Sequence, residues 1–206
     1  MVYIHLLFGV LLASVVSIAQ ATERPNIIVM VADDLGWNDV GFHGGDIDTP
    51  SLDRLAAEGV ELSRFYTTPI CPPTRAALMT GRDPIRLGVA YGVIMPWMNI
   101  GIHPQEHFMP QSFLAAGYQT AMVGKWHLGH ALQAYHPNER GFEHFYGHLH
   151  TEVGFYPPFA NQGGKDYHRN GVTNDENGEE TKMLADEGSR NIRKRGQGKP
   201  VGSYTQ

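Results

Sequence analysis

Three short segments carry side chains whose types and spacing suit chemistry on an anion: Asp33-Asp34, Cys71 with Arg75, and Lys125 with His127. Adjacent carboxylates repel each other unless a cation lies between them, and hard oxygen ligands suit Ca²⁺ or Mg²⁺. The other reading of Asp33-Asp34 is a turn cap beside a solvated neighbour. Cys71 precedes Pro72-Pro73, and a proline-started helix would direct unpaired backbone N–H groups and a positive dipole end toward the thiol. Arg75, one turn in, can fold back beside Cys71 and add a fixed charge. A thiol so placed is expected to be activated; the alternative is a buried structural cysteine. Lys125 and His127 flank Trp126 at the end of an apolar stretch. On a strand, residues two apart share a face, so a cation and an imidazole would project together while Trp126 packs the other way. That pairing suits an oxyanion, and it is equally an ordinary strand end.

The elements that must position these residues are legible in outline. The run NIIVMVA (26–32) is nearly continuous Ile, Val and Ala, the pattern of a parallel strand covered on both faces, and it delivers Asp33-Asp34 at its carboxyl end. Thr49 caps a helix begun by Pro50, with Leu52, Leu55 and Ala56 as its inner stripe and Gly59 as its stop. Residues 60–66 read as a second strand. Pro73 starts a helix over 74–80 that ends at Gly81. Residues 83–108 read mostly as loop, 110–116 as helix, and 119–126 as another strand. From 128 to 178 the chain reads as loop, dense in Gly, Pro, His and aromatics, with turn signals at Asn170-Gly171 and Asn177-Gly178. A charged amphipathic helix over 180–195 would face inward with Met183, Leu184 and Ile192. The closing residues KPVGSYTQ stand where another strand could begin, but their polarity argues against it. This alternation predicts an α/β fold, with a mostly parallel central sheet flanked by helices. In such sheets, sites lie beyond the carboxyl ends of strands.

Composition narrows the class. With 206 residues, 42% apolar and 18% charged, the chain can fold around one core and is neither disordered nor fibrous. A net charge of −5 without a dense basic face removes nucleic acid from the expected partners. At the N-terminus, an apolar run from Leu6 to Ile18 followed by Ala19-Gln20-Ala21 reads as a signal peptide cleaved after Ala21. It is short of the roughly 20 residues a spanning helix needs, so no stable membrane span is expected after cleavage. Export to a secreted, periplasmic or lysosome-like lumen makes the single Cys71 notable. In an oxidising compartment it must be buried, paired with another chain, or used chemically.

Four motifs together carry a family resemblance. ICPPTRAALMTGR is similar to the signature Cys-x-Pro-Ser/Thr/Ala-Arg followed by a helix ending Thr-Gly-Arg. NIIVMVADDLGWNDVG, GYQTAMVGKWHLG and GFEHFYGH follow the same family's order. From about Arg24 to its end the chain resembles the sulfatases of the alkaline phosphatase superfamily. The resemblance implies that Cys71 is oxidised during export to formylglycine by a formylglycine-generating enzyme, which explains a cysteine without a disulfide partner. It also implies that Asp33 and Asp34 bind Ca²⁺, with modified Cys71 beside the metal. One hydroxyl of the hydrated aldehyde would attack sulfur and displace the alcohol, and the other would expel sulfate. Arg75 would steady the nucleophile, Lys125 would hold sulfate and diol, and His127 would take the proton that drives elimination. The substrate would be a sulfate ester, either an aryl sulfate or a sulfated sugar. Thr74 stands where Ser is commonest in the family and keeps the hydroxyl.

Sulfatases are much longer, and their second half supplies an Asp-Asn ligand pair, a further lysine and a leaving-group histidine that residues 1–206 do not. Asp175-Glu176-Asn177-Gly178 imitates the Asp-Asn-Gly segment but reads as a turn. The chain is therefore read as a signal peptide (1–21) followed by the N-terminal portion of a sulfatase catalytic domain (22–206). Alternative readings are a phosphonate or phosphate monoester hydrolase, and an incomplete domain that binds anions or partners without turnover. His136, His144, His148, His150 and His168 invite a zinc hypothesis, but no Cys or well-spaced carboxylate joins them, and they read as cleft lining.

Overall fold

The structure, a computed structural model, describes residues 24–195 and 199–205. The expected signal peptide, 1–21, lies outside the described residues. Among the described residues no helix is long and apolar enough to cross a membrane.

Among the described residues six strands form one mixed sheet: β1 (Ile27–Met30), β2 (Gln119–Val123), β3 (His144–Gly147), β4 (His168–Arg169), β5 (Val172–Thr173) and β6 (Val201–Thr205). Their spatial order is β1-β6-β2-β3-β4-β5. The first four neighbours run parallel, and β4 and β5 add an antiparallel edge. Among the described residues four α-helices accompany the sheet: α1 (Pro50–Glu58), α2 (Cys71–Thr80), α3 (Met109–Ala115) and α4 (Glu180–Arg195). The expected α/β architecture with a mostly parallel sheet is what the chain adopts.

The main core packs Ala76 and Met79 of α2 against Met122, Trp126, Phe145 and Tyr204. A second cluster, Val123, Tyr146 and Tyr167, receives Met183 and Leu184 of α4. Trp126 fixes the turn after β2 by burying its ring while its Nε1–H donates to the Tyr135 carbonyl at 2.9 Å. Burying an indole without such a partner would leave its donor unsatisfied.

Several expectations need correction. Residues 60–66 form no strand; Val60, Leu62, Phe65 and Tyr66 are exposed. The place beside β1 on the interior side goes instead to β6. The polar C-terminal residues do form a strand, and it is central. Gly202 permits this, because a Cβ there would meet the Phe113 ring at 2.9 Å, and Tyr204 satisfies its hydroxyl by accepting from Arg75. Strand β2 stops at Val123, where Gly124 turns with φ 110°. The supposed loop 128–178 contains β3 and the β4–β5 hairpin, whose turn is the expected Asn170-Gly171, both at positive φ. Leu52 and Leu55 of α1 face solvent rather than a core, and Ile192 of α4 is likewise exposed.

Candidate active site

The carboxyl ends of β1 and β2 and the first turn of α2 converge as the switch-point rule requires. Helix α2 begins at Cys71, three residues earlier than expected, with Ile70 as N-cap. The donors once expected to face Cys71 are mostly lacking. Pro72 and Pro73 carry no N–H, and the Thr74 N–H is taken by the Ile70 carbonyl at 3.2 Å. What reaches this end of the helix is the dipole and the neighbouring cations.

Arg75 is buried, but its guanidinium does not close on Cys71. Nη1 donates to the Lys125 carbonyl at 2.5 Å and to the Tyr204 hydroxyl at 3.1 Å. Nη2 lies 3.7 Å from Asp33 Oδ2, and the same oxygen accepts from Lys125 Nζ at 2.6 Å. Two cations thus meet on one carboxylate. Nε and Nη2 of Arg75 are buried without a hydrogen bond among the described residues, a state that costs free energy unless an acceptor arrives. Asp33, Asp34, Thr68, Cys71 and Arg75 line a cleft of about 280 Å³. Cys71 is half-buried there as a free thiol.

The segment bearing Lys125 and His127 is no longer strand, yet it continues the parallel ladder. The N–H groups of Gly124, Trp126 and His127 donate to the carbonyls of Tyr146, His148 and Leu149. His127 adopts φ 58° and Asp34 φ 59°; left-handed backbone at such residues costs of the order of 1–3 kcal/mol and gathers at functional sites. His127 Nε2 faces the Ile94 carbonyl at 3.2 Å. A carbonyl can only accept, so Nε2 carries the hydrogen and Nδ1 keeps a lone pair, buried and without a partner among the described residues. Burial first, then repulsion from Lys125 and Arg75, brings the imidazole down to about 3. His127 is therefore neutral, with an unpartnered lone pair on Nδ1.

Asp33 and Asp34 offer hard, anionic donors at the cleft, the chemistry a calcium ion prefers. They supply only part of its usual six to eight oxygens, and among the described residues no group of three or more His, Cys, Asp or Glu has metal-holding geometry. The structure brings Asp33, Arg75 and Lys125 into direct contact, and it places Asp34 and Cys71 on the same cleft. The clustered histidines have separate partners: His144 the Glu187 carboxylate, His136 the His130 carbonyl, and His168 the Asp166 carboxylate. Among the described residues these side chains form no cluster that could hold a metal ion. A larger cavity of about 610 Å³ at the opposite end of the sheet includes Arg169 and Arg190, but both are paired with Glu187.

Sequence reasoning missed three contributors. Tyr204 anchors Arg75, while buried His148 feels the charges of Lys125 and Arg75, and Glu180 lies 3.8 Å from His148. Tyr204 was hidden in a tail too polar to read as a core strand, and His148 was one of five histidines with no distinguishing spacing.

The Sulfatase family model matches residues 25–204. The chain is 43% identical over 156 residues to the N-acetylgalactosamine-6-sulfatase of Canis lupus familiaris, covering 71% of this chain and 30% of that protein. It is 43% identical over 142 residues to arylsulfatase A of Homo sapiens, covering 68% and 28%. The solved structure of Ps i-CgsB in complex with k-i-k-neocarrahexaose superposes with a TM-score of 0.81 at 34% identity, covering 89% of this chain and 44% of that one. The chain thus spans under a third of these two curated relatives.

Proposed function

The chain belongs to the sulfatase family, and from that premise we propose that it is the N-terminal portion of a catalytic domain that hydrolyses sulfate esters, with Cys71 as the site of the nucleophile. The observation that carries this reading is the convergence of Arg75 and Lys125 on Asp33, in the cleft that Cys71 lines. Two buried cations in one cleft suit a dianionic leaving product and the charge that grows on sulfuryl oxygens in the transition state.

Cys71 converted to formylglycine by a formylglycine-generating enzyme supplies, once hydrated, the oxygen nucleophile that displaces the alcohol from sulfur. Asp33 and Asp34 would hold a calcium ion, which when bound supplies positive charge to polarise a sulfate oxygen. The remaining work falls to this chain's own side chains. Lys125 holds a sulfuryl oxygen with its ammonium, and Arg75, fixed by the Lys125 carbonyl and Tyr204, offers its unsatisfied Nε and Nη2 donors. His127 accepts a proton at Nδ1. Burial holds its pKa down first and the two cations second; an anion in the cleft offsets the cations, so the imidazole becomes more basic as charge develops.

The relatives named for N-acetylgalactosamine 6-sulfate chemistry and the neighbour bound to a neocarrahexaose support a sulfated sugar as the substrate class. Phe155, Tyr156 and Phe159 are exposed on the loop that follows β3 and offer apolar ring faces of the kind a sugar can stack on. The predicted signal supports an exported protein. A second reading, an anion-binding domain without turnover, is favoured by the fact that Asp33 and Asp34 supply only two carboxylates toward a metal and no larger metal-holding group occurs among the described residues.

Hydrolysis of a fluorogenic aryl sulfate by chain co-produced with the formylglycine-generating enzyme tests the proposal, with and without Ca²⁺ and beside Cys71→Ala. Calcium-dependent turnover that vanishes in Cys71→Ala is the expected result. Sulfate binding without turnover would select the second reading.

A further inference from the structure

The cavity of about 610 Å³ at the amino ends of β2 and β3 has no part in the chemistry of the cleft. It is walled by Gln119 and His144, the first residues of those strands, by Arg169 of β4, and by Glu187, Arg190 and Lys194 of α4. Every side chain lining it is polar or charged. Cavities left empty by imperfect packing are apolar, whereas a polar one of this size holds water or a polar ligand. Strand β2 rises about 3.3 Å per residue, so its five residues set the cavity roughly 13 Å from the end where the Lys125 segment begins.

The floor of the cavity is fixed and its rim is not. Glu187 is buried, and both its oxygens are engaged. Oε1 accepts from His144 Nε2 and Arg169 Nη1 at 2.8 Å and from Asn191 Nδ2 at 3.0 Å, and Oε2 accepts from Arg190 Nη1 at 2.6 Å. A carboxylate so saturated compensates one of the two guanidinium groups. Arg169 also reaches Glu176, outside the wall, at 3.4 Å and lies over the Tyr146 ring at 4.2 Å, so it is held in place. Arg190 is 61% exposed, and Glu187 takes a single N–H of its five donors. Lys194, one turn further along the same helix face, is exposed and has no ion pair among the described residues. With Glu143 also in the wall, three cations stand against two carboxylates, a local charge of +1 in a chain of net charge −5. Gln119 supplies the opposite kind of demand: its Oε1 is buried without a hydrogen-bond donor among the described residues. Leaving that acceptor unmet costs free energy, which a ligand hydroxyl would recover.

We propose that this cavity is a second, noncatalytic binding site for an acidic sugar, whose sulfate or carboxylate is held by Arg190 and Lys194 while a hydroxyl of the same ring donates to Gln119 Oε1. A bare oxyanion satisfies the cations and leaves Gln119 unmet. A neutral sugar does the reverse. A ring that carries both an anionic group and hydroxyls meets the two demands together, with the guanidinium fork and the ammonium closing on the anion from one helix face. Sugar sulfates and uronates share this chemistry. The proposal stands apart from the sulfatase reading, because none of these residues lines the Cys71 cleft.

NMR of ¹⁵N-labelled chain reads the side-chain amides of Gln119 and Asn191 directly. The chain is titrated at constant ionic strength with galactose 6-sulfate, galacturonate, neutral galactose and inorganic sulfate. Saturable shifts at Gln119 are expected with the two acidic sugars, and much weaker responses to galactose and to sulfate. Arg190→Gln combined with Lys194→Gln, two exposed changes on α4, should weaken the acidic sugars at least roughly tenfold. Gln119→Met, followed at Asn191, should erase the preference for galactose 6-sulfate over sulfate. No shift at Gln119 with any probe, or shifts indifferent to the double variant, would overturn the site. Equal responses to sulfate and to the acidic sugars would reduce it to an adventitious ion only and overturn the sugar assignment. Aryl sulfate hydrolysis should be the same in the double variant and the unaltered chain, so a failure of the sulfatase reading would leave this outcome untouched.

Discussion

Arg75 shows why residue type matters more than charge at this site. Its planar fork spans the Lys125 carbonyl and the Tyr204 hydroxyl and still presents two further donors, an arrangement a point charge cannot reproduce. Arg75→Lys is therefore expected to lower kcat/KM at least a hundredfold while the fold persists, as steady-state kinetics beside circular dichroism would show. His127 gives a stability prediction with a defined sign. Its folded pKa, about 3, lies below the unfolded value of 6.5, so the associated stability is intact above pH 6.5 and is lost as pH falls toward 3. His148, down to about 4, acts in the same direction. Glu180, raised to about 7 from 4.5, acts oppositely: its contribution is fully present below pH 4.5 and is lost as pH rises through 7. The unfolding free energy from urea titrations should thus fall on acidification below pH 6.5, by about a few kcal/mol in all. His127→Gln should flatten that fall, and Glu180→Gln should stabilise the protein at pH 8.

At the scale of elements, the site depends on how closely the segments after β2 and β3 approach. Gly147, at φ 148°, passes so near Gly124 that an added Cβ would lie 2.1 Å from its carbonyl oxygen. Gly147→Ala must therefore break the Gly124–Tyr146 hydrogen bond that begins the Lys125 segment. A loss of about 3 kcal/mol or more is expected, together with weakened sulfate binding, measured by thermal melts with and without sulfate. Strand β6 makes a contribution that can be tested more gently. Tyr204→Phe removes one acceptor from Arg75 and preserves the packing, so it should cost about 1–2 kcal/mol and reduce affinity for the anion.

For the whole molecule, the uneven feature is the β1 side. Ile28 and Met30 are 44% and 60% exposed although their sequence is that of a strand covered on both faces. Beside them Phe65 and Tyr66 edge a largely apolar groove of about 670 Å³, and the apolar stripe of α1 stands uncovered. Contiguous exposed apolar surface of this kind promotes association. The described chain in dilute solution is expected to self-associate with concentration and to bind hydrophobic dyes, as sedimentation velocity and fluorescence would show. Met30→Lys with Phe65→Ser should shift it toward monomer. Unchanged association in that variant would place the contact on another surface.

What the sequence by itself determined is local. Strand β1, the helix opened by Thr49-Pro50, the Asn170-Gly171 turn and the α4 span follow from periodicity, proline and glycine chemistry, which act over a few residues. The six candidate side chains were legible for the same reason, since each motif is short and its chemistry is carried by residue type. Tertiary structure alone decided that a polar tail would fill the centre of the sheet, because Gly202 and Tyr204 acquire their reasons only from Phe113 and Arg75. It alone directed Arg75 toward Lys125 and Tyr204 and withheld backbone donors from Cys71. It alone set His148 against Glu180, thirty-two positions away, since burial and charge proximity are properties of packing that no spacing along the chain encodes.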